Sequence, residues 1–239
     1  MIRLSPLLIC LFFTACTVIP PRITRDTLPS LFLPLEPRDS ICLFEAFGET
    51  KFSVKGQRFG AHIELQWRGD SDFNVGFYSP FGGRIASIAP ACGGFWDIKA
   101  GDSLYKKLPH ENMDLGQGFI EYPFTYAQFM HILTGGLLDY AILKKNADSL
   151  SFDGKRGFCY WHNESIGDRE YDIIAIINRK QSRVTDVIYR TKSPAVGELA
   201  YSSFKDGVPK EIRFSDPNNN YFYVNYERIF QRTCAQCQK

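Results

Sequence analysis

The sequence predicts a mainly β protein, an antiparallel meander of roughly a dozen strands interrupted by one amphipathic helix. Two observations carry this. From Ser40 onward apolar and polar residues alternate, in runs broken by Gly, Asn, Asp and Pro. That is the period of a half-buried strand, with the punctuation of tight turns. One segment, opening at Thr125, departs from this period and repeats its apolar residues every three or four positions, the spacing of a helix with one buried face. A long, twisted meander with a helix on its inner face either closes into a barrel or stays open as a half-barrel.

The chain begins differently. Arg3 precedes an apolar run from Leu4 to Phe13, well short of the about 20 residues a helix needs to cross a bilayer. A charged start, a short apolar core and small residues before a cut describe a secretory signal over residues 1–15. Its end, Phe13-Thr14-Ala15-Cys16, resembles the lipobox of bacterial lipoproteins, with Phe13 where Leu is usual. The resemblance implies that Cys16 is acylated, becomes the mature N-terminus and joins the chain to membrane lipid. Each buried CH₂ of an acyl chain contributes about 0.8 kcal/mol, and the several chains of such an anchor hold stably.

Residues 16–39 carry five prolines, Pro20, Pro21, Pro29, Pro34 and Pro37. Each fixes φ and removes a backbone donor, so this stretch reads as an extended tether with a reach of about 70 Å. Its apolar part, Leu31, Phe32, Leu33 and Leu35, has the alternative of packing on the folded body.

The body spans residues 40–230. Between Arg58 and Trp67 the residues Phe59, Ala61, Ile63, Leu65 and Trp67 share one face, and Gly60, His62, Glu64 and Gln66 the other. Arg68-Gly69-Asp70 turns the chain, and Phe73, Val75 and Phe77 continue the apolar face on the partner strand of a hairpin. After Pro80-Phe81-Gly82-Gly83, shorter strands are expected at Arg84–Ala89, Gly93–Lys99 and Ser103–Lys107. The second half repeats the pattern at Ser149–Phe152, Arg156–Trp161, Tyr171–Asn178, Arg183–Thr191, Gly197–Phe204, Pro209–Phe214 and Tyr221–Arg228. Asp153-Gly154, Asp206-Gly207 and Asp216-Pro217-Asn218 supply turns between them. Short loops make sequence neighbours pair.

The helix opens on Thr125-Tyr126-Ala127-Gln128, the spacing of a capping box. Tyr126, Phe129, Met130, Leu133 and Leu137 form its apolar stripe, and Gly135-Gly136 offers a stop. That stripe is expected to lie on the concave side of the sheet.

A formal net charge of +2 gives no electrostatic case for a nucleic-acid partner. His62, His110, His131 and His162 are scattered without metal-ligand spacing, and no nucleophile elbow or phosphate-binding glycine loop occurs. Nothing in the sequence calls for a metal, a cofactor or catalysis. Beyond Cys16 the mature chain holds Cys42, Cys92, Cys159, Cys234 and Cys237. Export permits a disulfide, though spacing does not reveal the pairing. Cys234-Ala-Gln-Cys237 falls in a polar tail, 231–239, without the context that redox or zinc chemistry needs. A local disulfide or an inert tail is expected there.

From Gln66-Trp67 at a strand end, through a polar turn, to Phe73-Asn74-Val75-Gly76-Phe77-Tyr78-Ser79-Pro80-Phe81-Gly82, the chain resembles the LolB family of outer-membrane lipoprotein receptors. The order of hairpin, Pro-apolar-Gly turn, mid-chain helix and further strands matches that family across most of the body. The long Pro-rich stretch, the extra residues between Leu104 and Pro123 and the cysteine-bearing tail depart from it. The resemblance implies an incomplete antiparallel β-barrel, a half-barrel of roughly eleven strands with one helix packed on the concave face. It also implies a hollow that accepts lipoprotein acyl chains, delivered by a periplasmic carrier, and a place in the outer membrane facing the periplasm. By position, Phe81 is the turn residue that enters the membrane, and the alternative is a Phe folded back onto its own sheet. Phe59, Ile63, Leu65, Trp67, Phe73, Val75 and Phe77 would line the hollow under a lid of Phe129, Met130 and Leu133. The rival reading is a scaffolding lipoprotein of the same fold, with a filled core, working through a protein partner.

Overall fold

The computed structural model describes residues 22–32, 41–54, 56–68, 72–93, 95–109, 126–167, 169–191 and 197–234. The strands are β1 (Ile41–Val54), β2 (Gln57–Trp67), β3 (Phe73–Tyr78), β4 (Arg84–Ala91), β5 (Phe95–Ala100) and β6 (Ser103–Pro109), followed by β7 (Ser149–Asp153), β8 (Arg156–Ile166), β9 (Arg169–Asn178), β10 (Arg183–Thr191), β11 (Glu198–Lys205), β12 (Val208–Ser215) and β13 (Tyr221–Thr233). All thirteen form one antiparallel sheet in the order β6-β5-β4-β3-β2-β1-β13-β12-β11-β10-β9-β8-β7. The sheet does not close, because β6 and β7 are its two edges. The half-barrel expected from sequence is therefore the observed fold, with somewhat more strands than counted there.

Neighbours in sequence pair as expected, with one exception at the centre. There β1 and β13, the first and last strands, pair from Ile41↔Thr233 to Ser53↔Tyr221. Gly48 sits at an irregularity in that ladder, and a Cβ added there would fall on the carbonyl oxygen of Asn225. Glycine is thus what lets these two long strands approach. The pair is also joined covalently by the Cys42–Cys234 disulfide, with Cα atoms 4.9 Å apart. This corrects two expectations. Cys234 does not pair locally with Cys237, and the final polar residues are not all tail, since β13 runs to Thr233. Alternation in Tyr221–Arg228 marked the strand, but its polar last turn of sequence hid that β1 extends the ladder beneath it.

The core is one apolar face. A single register row crosses eight strands by direct pairing, Trp161–Ile173–Tyr189–Leu199–Phe214–Phe222–Phe52–Phe59. On it lie α2 (Tyr126–Thr134) and α3 (Tyr140–Lys144). The start of the expected capping box, Thr125, lies outside the described residues. The stop is as expected: Gly135 takes φ +74°, and its amide donates to Ile132 O at 3.1 Å. The second helix is new. Asp139 caps it by accepting from the amides of Ala141 and Ile142, a signal visible in the sequence as an acidic residue before Tyr140-Ala-Ile-Leu.

The third element on this face comes from the presumed tether. A 3₁₀ turn (Arg25–Thr27) leads into α1 (Leu28–Leu31), with Pro29 in its first turn where no amide is missed. Ile23, Leu28, Leu31 and Phe32 are buried in the core cluster, and the Phe32 ring meets Trp161 edge-on at 5.7 Å. Of the two alternatives for this stretch, packing on the body holds for Leu31 and Phe32. Leu33 and Leu35 lie outside the described residues.

Candidate functional site

The two halves of the concave face differ. Over β7–β13 the face is covered. Tyr226 donates its hydroxyl to Leu133 O at 2.8 Å and Tyr201 donates to Gly136 O at 3.2 Å. Tyr226 thus satisfies a carbonyl left open in the last turn of α2, and Tyr201 one in the segment just beyond it. Tyr171, Tyr189 and Tyr201 stack edge to face at 6.2 and 6.3 Å, an arrangement favoured by the ring quadrupoles. Phe129 of α2 reaches Phe222 at 5.9 Å. Burial pushes the Cys159 thiol up to about 12 and raises the Tyr189 hydroxyl further. Both stay neutral parts of an apolar core.

Over β1–β5 the cover thins. Ile63, Leu65, Phe73 and Val75 are fully buried, yet Trp67, Phe77, Phe52 and Ile98 are only partly so. Phe59 is 47% exposed and stacks on Phe52 at 5.4 Å. The residues singled out from sequence thus divide into two groups. Ile63, Leu65, Phe73, Val75, Phe129, Met130 and Leu133 belong to the packed core. Phe59, Trp67 and Phe77 offer apolar surface on the more open half. The sequence showed which residues share this face but not where the helices would cover it.

Phe81 stands apart from both groups. Gly82 N donates to Ser79 O at 2.9 Å and Ser79 N to Gly83 O at 2.7 Å, closing a turn with Pro80 and Phe81 at its centre. The Ser79 hydroxyl accepts from Gly83 N at 3.1 Å, and Gly82 takes φ +86°, a conformation only glycine adopts freely. Proline presets the first turn position and glycine completes the hairpin connection. The result is a rigid tip on which Phe81 is 99% exposed. It does not fold back onto the sheet.

On the opposite, convex face a groove of about 420 Å³ lies between β13, β1, β2 and β3. Glu45, Phe47, Glu64, Tyr78 and Arg228 are among its lining residues. Phe47 stacks on His62 at 5.7 Å. His131 is exposed on α2, and His162 Nδ1 lies 3.3 Å from Asp172. His110 and Cys237 lie outside the described residues. Among the described residues no cluster of metal-binding side chains occurs, and no helix is long and apolar enough to cross a membrane. Cys92 is a free, exposed thiol and Cys159 a free, buried one.

No family model matches the sequence, and no curated protein matches it. Solved structures that the chain resembles include a LolA-superfamily protein from Nitrosomonas europaea, at 13% identity and a TM-score of 0.44, over 88% of this chain and 94% of that one. A second is a domain assigned to outer-membrane lipoprotein sorting from Vibrio parahaemolyticus, at 9% identity and a TM-score of 0.44, with the same coverage of each chain. A third is a DUF1329-family protein from Desulfovibrio piger, at 9% identity and a TM-score of 0.48, over 86% and 90%. At these identities the likeness is one of chain path.

Proposed function

We propose that this protein is a non-enzymatic lipoprotein of the cell envelope, anchored through acylated Cys16, that handles acyl chains of lipidated proteins at the outer membrane. The observation that carries the reading is Phe81. A large apolar side chain held 99% exposed on a rigid turn is costly in water, by about 2 kcal/mol, and the turn is built to keep it there. Toward the same end of the sheet, the partly covered apolar surface of Phe59 and Phe77 is a place for an acyl chain leaving or entering the bilayer, with Trp67 further along the same face. The Cys42–Cys234 disulfide fits a chain that matures in an oxidising compartment. A periplasmic carrier would supply the acylated cargo.

The test is to extract the protein gently from membranes and identify co-purifying acyl chains by mass spectrometry. Stoichiometric acyl chains that vanish on Phe59→Glu or Phe77→Glu substitution are the expected result. An empty protein from every preparation would overturn acyl carriage. The scaffolding alternative is favoured by one specific observation: α1, α2 and α3 fill much of the concave face with close-packed side chains. It predicts no bound lipid and a protein partner that survives the Phe59 and Phe77 substitutions.

A further inference from the structure

Strand β9 reads Ile173-Ile174-Ala175-Ile176-Ile177, the unbroken apolar run of a strand buried on both faces. Only one face is covered. Ile173, Ala175 and Ile177 lie in the core, while Ile174 and Ile176 fall on the convex side and are only half-buried. Their neighbours are of the same kind. Phe158 pairs with Ile176, Tyr160 with Ile174, Ile174 with Ile188 and Ile188 with Ala200, and none of these residues belongs to the core cluster. The Phe158 ring stacks on Tyr160 at 6.5 Å and Tyr160 on His162 at 6.0 Å, a ladder of rings along β8. Elsewhere on the convex side, β1 and β2 place mostly polar residues, among them Glu49, Lys51, Glu64 and Gln66.

Charges of opposite sign close the two ends of this patch. One end is the register row Arg156–Asn178–Arg183. The other is the row Asp172–Arg190–Glu198, where Arg190 donates to Glu198 at 2.8 Å. Lys155 and Lys180 in the turns add to the basic end, and Glu170 adds to the acidic one. Across β8 to β11, at about 4.8 Å a strand and about 30 Å of length, the face covers roughly 600 Å². That is toward the low end of specific interfaces, which take about 800 Å² a side. An aromatic and aliphatic centre inside a polar rim is the anatomy of such a contact.

We propose that the convex face of β8–β11 is a self-association surface, on which a second copy of this chain packs sheet to sheet about a two-fold axis running across the strands. Such an axis turns each strand end for end, so the basic end of one copy lies on the acidic end of the other. A two-fold axis along the strands would instead set each end on its like. Packed sheets cross by about 30°, which at about 10 Å from the axis shifts each end over by about one strand. That sets Arg156 against Asp172 and Arg183 against Glu198 of the second copy, with Ile174 and Ile176 between them.

The same axis keeps the β7 edges of both copies on one side of the pair. The N-terminal segment joins the fold at that edge, where Arg25 donates to Asp148 O at 2.9 Å and Phe32 meets Trp161. Both anchors therefore reach one bilayer, and sharing it raises the effective concentration of a small interface. This consequence rests on the lipidation of Cys16; the contact between sheets does not. The concave face and Phe81 stay clear of the contact.

The test is sedimentation equilibrium of the full chain in density-matched detergent micelles over a wide range of concentration. The expected result is a mass that rises from one copy to two. Ile174→Lys should raise the dissociation constant by about tenfold or more at a melting temperature near the parent's, and Ile188→Lys serves in its place if that variant unfolds. Reversing one end by Arg156→Glu with Arg183→Glu, or the other by Asp172→Lys with Glu198→Lys, should abolish self-association. A mixture of these two proteins should restore it, because each then meets its complement at both ends. A single-copy mass at every concentration would overturn the proposal, as would a dimer that folded Ile174→Lys and Ile188→Lys chains form equally well. A mixture that fails to associate would overturn the transverse two-fold axis.

Discussion

At the residue scale, Phe81 and Cys159 show opposite solutions to the same solvent. Phe81 is held in water by a turn whose hydrogen bonds and glycine conformation do not depend on its side chain. Phe81→Glu should accordingly leave the melting temperature within about a degree or two of the parent, as surface changes do. It should weaken transfer of a lipidated protein to vesicles, and unaltered transfer would remove Phe81 from the mechanism. Cys159 is sealed in, its thiol pushed up to about 12 by burial. Its folded value lies above its unfolded one, so its contribution to stability is fully present below about pH 9. As the pH climbs from there toward 12 the unfolded chain ionises while the folded chain keeps its proton, and stability falls. Tyr189, raised by the same burial, acts in the same direction. Cys159→Ala should flatten the alkaline loss of stability in pH-dependent urea melts, whatever it costs at neutral pH. In native protein, a thiol reagent should modify exposed Cys92 well before Cys159.

At the scale of elements, period 2 made nearly all the strands legible. Arg183–Thr191 coincides with β10, and the remaining expected strands fall within a few residues of the observed ends. Legibility was poorer where apolar residues serve two partners. The stop at Gly135 was legible, but the second helix that Asp139 starts was not. What holds these helices down is specific. Tyr226→Phe removes a buried hydroxyl donor from the last turn of α2, and Tyr201→Phe one from Gly136 just beyond it. Each should cost about 1–2 kcal/mol, seen as a lower denaturant midpoint with an unchanged slope. A cost near zero for both would mean that water replaces these contacts and α2 is held by packing alone.

At the scale of the whole molecule, the two ends of the chain close the fold. β1 and β13 meet at the centre of the sheet, and Cys42–Cys234 spans 192 residues of sequence. By chain entropy such a link contributes up to about 5 kcal/mol. Reduction, or Cys42→Ser, should therefore lower stability sharply in chemical denaturation, and an equal midpoint for oxidised and reduced protein would contradict it. The segment from Ile23 to Phe32 belongs to the same closure. Phe32→Ala should cost about 3–5 kcal/mol and open the segment to proteolysis. Cleavage rates equal to the parent's would place Phe32 outside the core.

The sequence by itself determined the β architecture, the residues that share the apolar face and the turn that carries Phe81. Those properties follow from local periodicity and from the backbone preferences of Gly and Pro, which act over a few residues. Only the tertiary structure decided which part of that face is covered, which cysteine joins Cys42, and that Ile23, Leu28, Leu31 and Phe32 of the proline-rich stretch pack in the core. Those outcomes depend on contacts between residues far apart in sequence. Leu28 and Phe32 look the same in a tether as in a core until Trp161 is beside them.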